Sequence, residues 1–259
     1  MRIVVTVRCR NEERNIWRFC ASYRWADAVL IADGGSTDRS LRIAAGFDNV
    51  TVRPFPEVVH SGTSIRNPEG RHTNFLFAWA EEEGADWIIF DDMDCVPNTA
   101  FRLAARGLLE AAEADSCEVA FAVRLYLFGE GQHFPHLAKP AVQHKAWEPS
   151  LWAWRASLGV RSGDEDWNLS MPALHVRRRR DILPPLCLLH RPWPDEEALA
   201  RKMALYNGSP VGAKLNDPRN WAGPLERLPE WAYDGLQVGR GRSDEAFALC
   251  GGSEPTAEG

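Results

Sequence analysis

The chain has 259 residues, 45% of them hydrophobic and 25% charged, which is ordinary usage for one large globular domain or a domain with an appendage. Its net charge of -6 argues against a broad nucleic-acid-binding face, with the arginine run at 177–180 as a local exception. No stretch approaches the ~20 apolar residues of a membrane span, and the apolar run behind Met1 is too short for a signal-peptide core, so a cytoplasmic protein is expected.

In chain order, the first half alternates two kinds of signal. Strand signals occupy 3–7, 28–32, 49–55 and 86–90, all but the third of them apolar runs. Between them, 12–23 places Ile16, Phe19, Cys20 and Tyr23 at helical spacing. Ser36, Thr37 and Asp38 can cap a helix running through Ala45, and 71–84 reads as an amphipathic helix stopped by Gly84. A long helix over 98–115 comes next, capped by Asn98 or Thr99. Residues 56–70 read as loop. Strands alternating with helices imply an α/β fold with a mostly parallel sheet flanked by helices. The second half is less regular. It offers a long strand at 118–128, loop over 129–150, short strand candidates at 150–156 and 173–176, an apolar run at 186–190 and a helix at 195–206. The stretch beyond Tyr206 is rich in Gly, Pro and Trp and ends in a tail of disordered composition.

Six cysteines, at 9, 20, 95, 117, 187 and 250, form no C-x-x-C pair, which argues against a zinc site and for a reduced compartment. The acidic residues are more informative. Asp91, Asp92 and Asp94 crowd four positions directly after the fourth strand run. Like charges so close repel, and only solvent at a turn, a basic neighbour or a bound cation offsets that. In an open parallel sheet, ligands bind beyond the carboxyl ends of the strands. Asp33 ends the second strand and Asp92 the fourth, so both fall on one edge. Gly34 and Gly35 beside Asp33 allow a tight turn and close approach of backbone to a ligand.

Three stretches, "VVTVRCRNEERNI", "ADAVLIADGGSTDRSLRIA" and "GADWIIFDDMDC", taken in order, resemble the nucleotide-sugar-binding half of family 2 glycosyltransferases, which have the GT-A fold. The likeness spans about residues 1–128. It implies that Glu12 faces the nucleoside, although acids are favoured at a helix start in any case. It implies that Asp33 accepts from an N–H of a uracil base, and that Asp92-x-Asp94 is the family's Asp-x-Asp motif, holding Mn²⁺ or Mg²⁺ against the diphosphate of a nucleoside-diphosphate sugar. Asp91 replaces a usually apolar residue and departs from the pattern. Thr73 stands where an arginine is common, which leaves Arg71 to supply a cation to the nucleotide. An inverting transferase needs a general base for the acceptor hydroxyl, and the acidic cluster 163–167 offers Asp166, then Glu165. His190, after a late apolar run, is a further metal ligand on this reading, with His175 a weaker competitor.

The resemblance therefore implies a metal-dependent inverting glycosyltransferase, with a UDP-sugar as donor and an acceptor hydroxyl on a glycan, protein, small molecule or modified DNA. It divides the chain into a nucleotide-sugar half (1–128), an acceptor and catalytic-base half (129–206) and a C-terminal extension (207–259). Two alternatives stand beside it. A nucleotidyltransferase shares an acidic metal site on an α/β fold but usually carries a glycine-rich signature near its first strand. A non-catalytic nucleotide or carbohydrate binder would not need Asp33, Asp92 and Asp94 intact. Most of the eleven tryptophans fall after residue 145 and suit a core or the stacking of sugars and bases.

Overall fold

The structure, a computed structural model, describes residues 1–57, 59–61, 64–66, 69–128, 132–134, 136–139, 142–145, 149–162, 176–193, 195–197, 200 and 226–227. Strand β1 (Ile3–Cys9) leads to helix α1 (Ile16–Ser22), β2 (Ala28–Asp33), α2 (Ser40–Ala44) and β3 (Val50–Pro54). A hairpin of β4 (Val59–Ser61) and β5 (Ser64–Arg66) precedes α3 (Glu69–Glu82), β6 (Trp87–Phe90), β7 (Cys95–Pro97) and α4 (Thr99–Ala114). The remainder is strand: β8 (Val119–Phe128), β9 (Gln132–Phe134), β10 (His136–Lys139), β11 (Val142–Lys145), β12 (Pro149–Arg155), β13 (Arg179–Ile182), β14 (Leu188–Trp193) and β15 (Glu226–Arg227).

Strands β3, β2, β1 and β6 lie side by side and parallel, in register from Val4 opposite Ala28 to Cys9 opposite Asp33, and from Asp33 to Pro54. Antiparallel β12 then joins β6 to β8. The expectation of a mostly parallel sheet with flanking helices holds. Two expected loops do not: 56–70 contains β4 and β5, and 129–150 contains β9, β10 and β11. The short segments β9 to β11 are polar and basic in sequence, so their strands are set by pairing partners and not by an apolar run. The expected helix at 195–206 and the strand at 173–176 fall almost wholly outside the described residues.

Alternation along β1 builds two layers. Ile3, Val5 and Val7 face the layer of α1 and α4, packing with Ile16, Phe19, Phe101 and Leu109. Val4 faces the layer of α3, with Leu76, Phe77 and Trp79. In β12, a bulge between Leu151 and Ala153 sends Trp152 and Trp154 to opposite layers despite their even spacing. Trp152 meets Phe101 at 4.6 Å and Trp154 meets Phe77 at 4.8 Å, so these two tryptophans are core. Helix ends obey their local chemistry. Asn98 Oδ1 accepts from Phe101 N at 2.9 Å and caps α4. Gly84, at φ +72°, lets Ala85 N reach back to Ala80 O and close α3 in a Schellman arrangement.

Strand β8 organises the second half of the chain. Its first half, Val119–Val123, pairs with β12 and β13, whereas from Arg124 onward it pairs with β14 and then β9. Arg124 therefore stands where β8 passes between two sets of neighbours. Among the described residues no helix is long and apolar enough to cross a membrane, and Cys9, Cys20, Cys95, Cys117 and Cys187 are free and buried.

Candidate functional site

The carboxyl ends of β1, β2 and β6 converge, and the loops beyond them are tied together. Asn11 takes a left-handed conformation, φ 54°, which Asn tolerates better than most residues. Its Oδ1 accepts from Thr37 N at 2.8 Å, and its own N–H donates to Ser36 Oγ at 3.0 Å. Ser36 Oγ donates in turn to Asp33 Oδ1 at 2.5 Å. Asp33, 6% exposed, also receives Gly35 N and Ser36 N, with Gly35 at φ 88° turning the chain. Glu12 N donates to Ser40 Oγ at 2.7 Å, and the Glu12 carboxylate accepts from Asn15 Nδ2 at 2.7 Å. Burial works against the charge of Asp38, but bonds from Ser40 and Glu13 outweigh it and hold the carboxyl below its ordinary value. The motifs after β1 and β2 are one knitted unit.

Helix α3 closes the same edge. His72 is buried, with Nε2 3.0 Å from Ala32 O, and stacks on Phe55 at 4.2 Å. Burial lowers its pKa from 6.5 to about 4, so the ring is neutral at physiological pH. The neighbouring Arg71 is exposed and pairs with Glu57 at 2.6 Å.

Beyond β6, the chain turns sharply. Cys95 N donates to Asp92 O at 2.8 Å, closing a turn over 92–95 with Met93 buried inside it. Strand β7 then pairs antiparallel with β14, which places His190 opposite Cys95, and Arg191 N donates to Asp94 O at 2.8 Å. As a result Asp92, Asp94 and His190 each offer a ligand atom within 4.8 Å of the others. His190 Nε2 is 3.0 Å from Asp94 Oδ1, its ring lies 4.8 Å from Tyr126, and its Nδ1 is buried without a hydrogen-bond partner. Two carboxylates and an imidazole fit a divalent cation, the imidazole favouring Mn²⁺ over the oxygen-preferring Mg²⁺.

Two arginines flank this group. Arg8 Nη2 is 3.5 Å from Asp92 Oδ1, and Arg124 Nη1 is 3.7 Å from Asp92 Oδ2. Burial tends to raise the Asp92 pKa, but His190, Arg8 and Arg124 reverse this, and the net shift is downward. Asp91 points inward. Its buried carboxylate accepts from Arg124 Nη2 at 3.1 Å and from the Tyr23 hydroxyl at 3.0 Å. Burial raises the Asp91 pKa, with Arg124 opposing that shift only in part.

The sequence-predicted residues Asp92, Asp94 and His190 thus come together, while Glu12 lies in the loop after β1, Asp33 ends β2 and Arg71 stands in the first turn of α3. Asp166, Glu165 and His175 lie outside the described residues. Arg8 and Arg124 are not among the residues that the sequence motifs single out. The available signal is a lone arginine inside an otherwise apolar strand, as in "VAFAVRLYLF". The arginine run does not belong here. It lies at the opposite end of β8, where Arg179 pairs with Asp181, Arg180 with Asp115, and the Arg177 N–H with Glu118.

No protein-family model matches the chain, and no curated protein matches it. Solved structures do match. S. aureus TarS 1–349 in complex with UDP-GlcNAc superposes with a TM-score of 0.52 at 17% identity, over 84% of this chain and 68% of that one. The fold is of the GT-A type. The same TarS segment in complex with UDP gives 0.53 at 17% identity with the same coverage, and a longer S. aureus TarS chain gives 0.50 at 16%, over 84% of this chain and 41% of that one. In these GT-A-type terms, the group Asp92, Asp94 and His190 stands at the carboxyl edge of the parallel strands, where such sheets receive ligands.

Proposed function

We propose that the chain is an inverting glycosyltransferase of the family 2 kind, moving a sugar from a nucleoside-diphosphate sugar, UDP by preference, to an acceptor hydroxyl. The observation that carries this reading is the convergence of Asp92, Asp94 and His190 at the carboxyl edge of a GT-A-type sheet. Support comes also from the TarS structures, which hold UDP and UDP-GlcNAc. Asp92, Asp94 and His190 would hold Mn²⁺ or Mg²⁺, which when bound supplies a Lewis acid for the charge of a leaving diphosphate.

The chain's own residues have separate tasks. Asp33, fixed by its turn, accepts from the base; Glu12 meets the nucleoside; Arg71 exchanges Glu57 for a phosphate. Asp166, with Glu165 beside it, removes the acceptor's proton as the hydroxyl attacks the anomeric carbon opposite the departing diphosphate. Positioning and electrostatics do the remainder. Residues 1–128 serve the donor and 129–206 the acceptor, with 207–259 an extension, in a protein of the cytoplasm. A panel of nucleotide sugars with Mn²⁺ tests the reading by release of the nucleoside diphosphate. Turnover of a UDP-sugar is expected, and neither turnover nor binding of any member would overturn it.

A further inference from the structure

Asp92 sits between two arginines that reach it from different strands. Arg8, on β1, approaches one carboxylate oxygen at 3.5 Å, and Arg124, on β8, approaches the other at 3.7 Å. Both side chains are largely buried, at 19% and 17% exposed, while Asp92 is 36% exposed. Neither contact is as short as the ~2.8 Å of a charge-assisted hydrogen bond. Arg124 keeps its short contact for Asp91, which is fully buried and held from the far side by Tyr23. Asp91 and Asp92 are therefore faced by two fixed guanidinium groups, which stay charged at any working pH, while Asp94 meets His190.

This arrangement has two consequences of opposite sign. A cation beside Asp92 opposes a metal ion arriving alone, since like charges a few ångströms apart repel. The same guanidinium is a planar fork suited to phosphate oxygens. We propose that Arg8 and Arg124 form a clamp for the diphosphate of the donor, with Asp91 the positioning residue that holds Arg124 in place. The clamp gives nucleotide binding a component that needs no metal and makes metal binding weak until the diphosphate arrives. This rests on the nucleoside-diphosphate reading of the site.

Calorimetric titration of the full chain with UDP in EDTA, and separately with Mn²⁺ alone, tests the clamp. Wild-type protein is expected to bind UDP in EDTA. Arg124→Gln and Arg8→Gln should each weaken that binding about tenfold, the loss of one charge-assisted contact, and should tighten Mn²⁺ binding several-fold. A merely structural role would weaken both ligands together. Asp91→Asn should weaken metal-free UDP binding in the wild-type background and have no further effect on Arg124→Gln. An independent effect there overturns its positioning role. Should Arg124→Gln fail to fold, the paired change Asp91→Leu with Arg124→Met, which removes both buried charges at once, carries the same two readouts. UDP binding that needs Mn²⁺ in the wild type, or that ignores both arginine substitutions in EDTA, overturns the clamp and leaves the nucleotide reading standing. Absence of UDP binding with and without Mn²⁺ overturns the nucleotide reading, and the clamp falls with it.

Discussion

Asp91 and Arg124 meet at 3.1 Å with the Asp91 side chain wholly out of water. Tyr23 completes the cluster from α1's end of the chain, donating to the second Asp91 oxygen at 3.0 Å. The pair joins the loop after β6 to the point where β8 changes neighbours, so one interaction braces both sides of the candidate site. An aspartate at a position that the motif leaves apolar is thereby accounted for: it is a buried counter-ion, and Asp92 and Asp94 are left to group with His190.

Breaking this pair should be costly. Arg124→Met leaves a buried carboxylate without its cation, and a loss of about 3 kcal/mol is expected from urea unfolding. Asp91→Leu combined with Arg124→Met should lose less than Arg124→Met alone, because no charge is stranded. Equal losses in the two variants would show that the pair contributes packing and not charge compensation.

His72 predicts a pH dependence of stability. Its pKa falls from 6.5 to about 4 on burial. Above pH 6.5 the ring is neutral whether the chain is folded or unfolded, and it contributes no slope. Between pH 6.5 and 4 the unfolded chain takes up a proton that the folded chain refuses, so stability declines as pH falls. The decline levels off below pH 4 at about 3 kcal/mol. His72→Gln should remove that part of the slope in urea titrations across this window; an unchanged slope would assign the dependence to other groups.

The general base is open to a direct comparison. Asp166→Asn should lower sugar transfer by about a thousandfold, within the usual range for an acid–base group, with UDP affinity unchanged. Glu165→Gln should keep most of the activity. Full transfer by both variants would move the base elsewhere in the chain.

Much of this architecture is legible in the sequence, for identifiable reasons. Of the four parallel strands, β1, β2 and β6 are apolar runs buried on both faces while β3, with Thr51 and Arg53, is a more exposed edge, and α4 announces itself through Asn98 and its periodic Phe101, Ala105 and Leu109. Asp33 and Asp92 share an edge because parallel strands end on one side. What the sequence hides is set by register. Arg8 and Arg124 meet Asp92 only because β1 lies beside β6 while β8, bridged to β6 by β12, bends toward β14. Asp91 is explained by Tyr23, 68 positions away, and Arg124, 33 away, which no local pattern links. The short strands β9 to β11 have no periodic apolar face to reveal them.

The central claim is that Asp92, Asp94 and His190 hold a divalent cation against a nucleoside diphosphate. Titration of UDP in saturating Mn²⁺ into wild-type and Asp94→Asn proteins tests it most directly. The account predicts that the metal-dependent gain in UDP affinity present in the wild type disappears in Asp94→Asn, with thermal stability retained. A gain of the same size in both proteins would contradict it and remove Asp94 from the site.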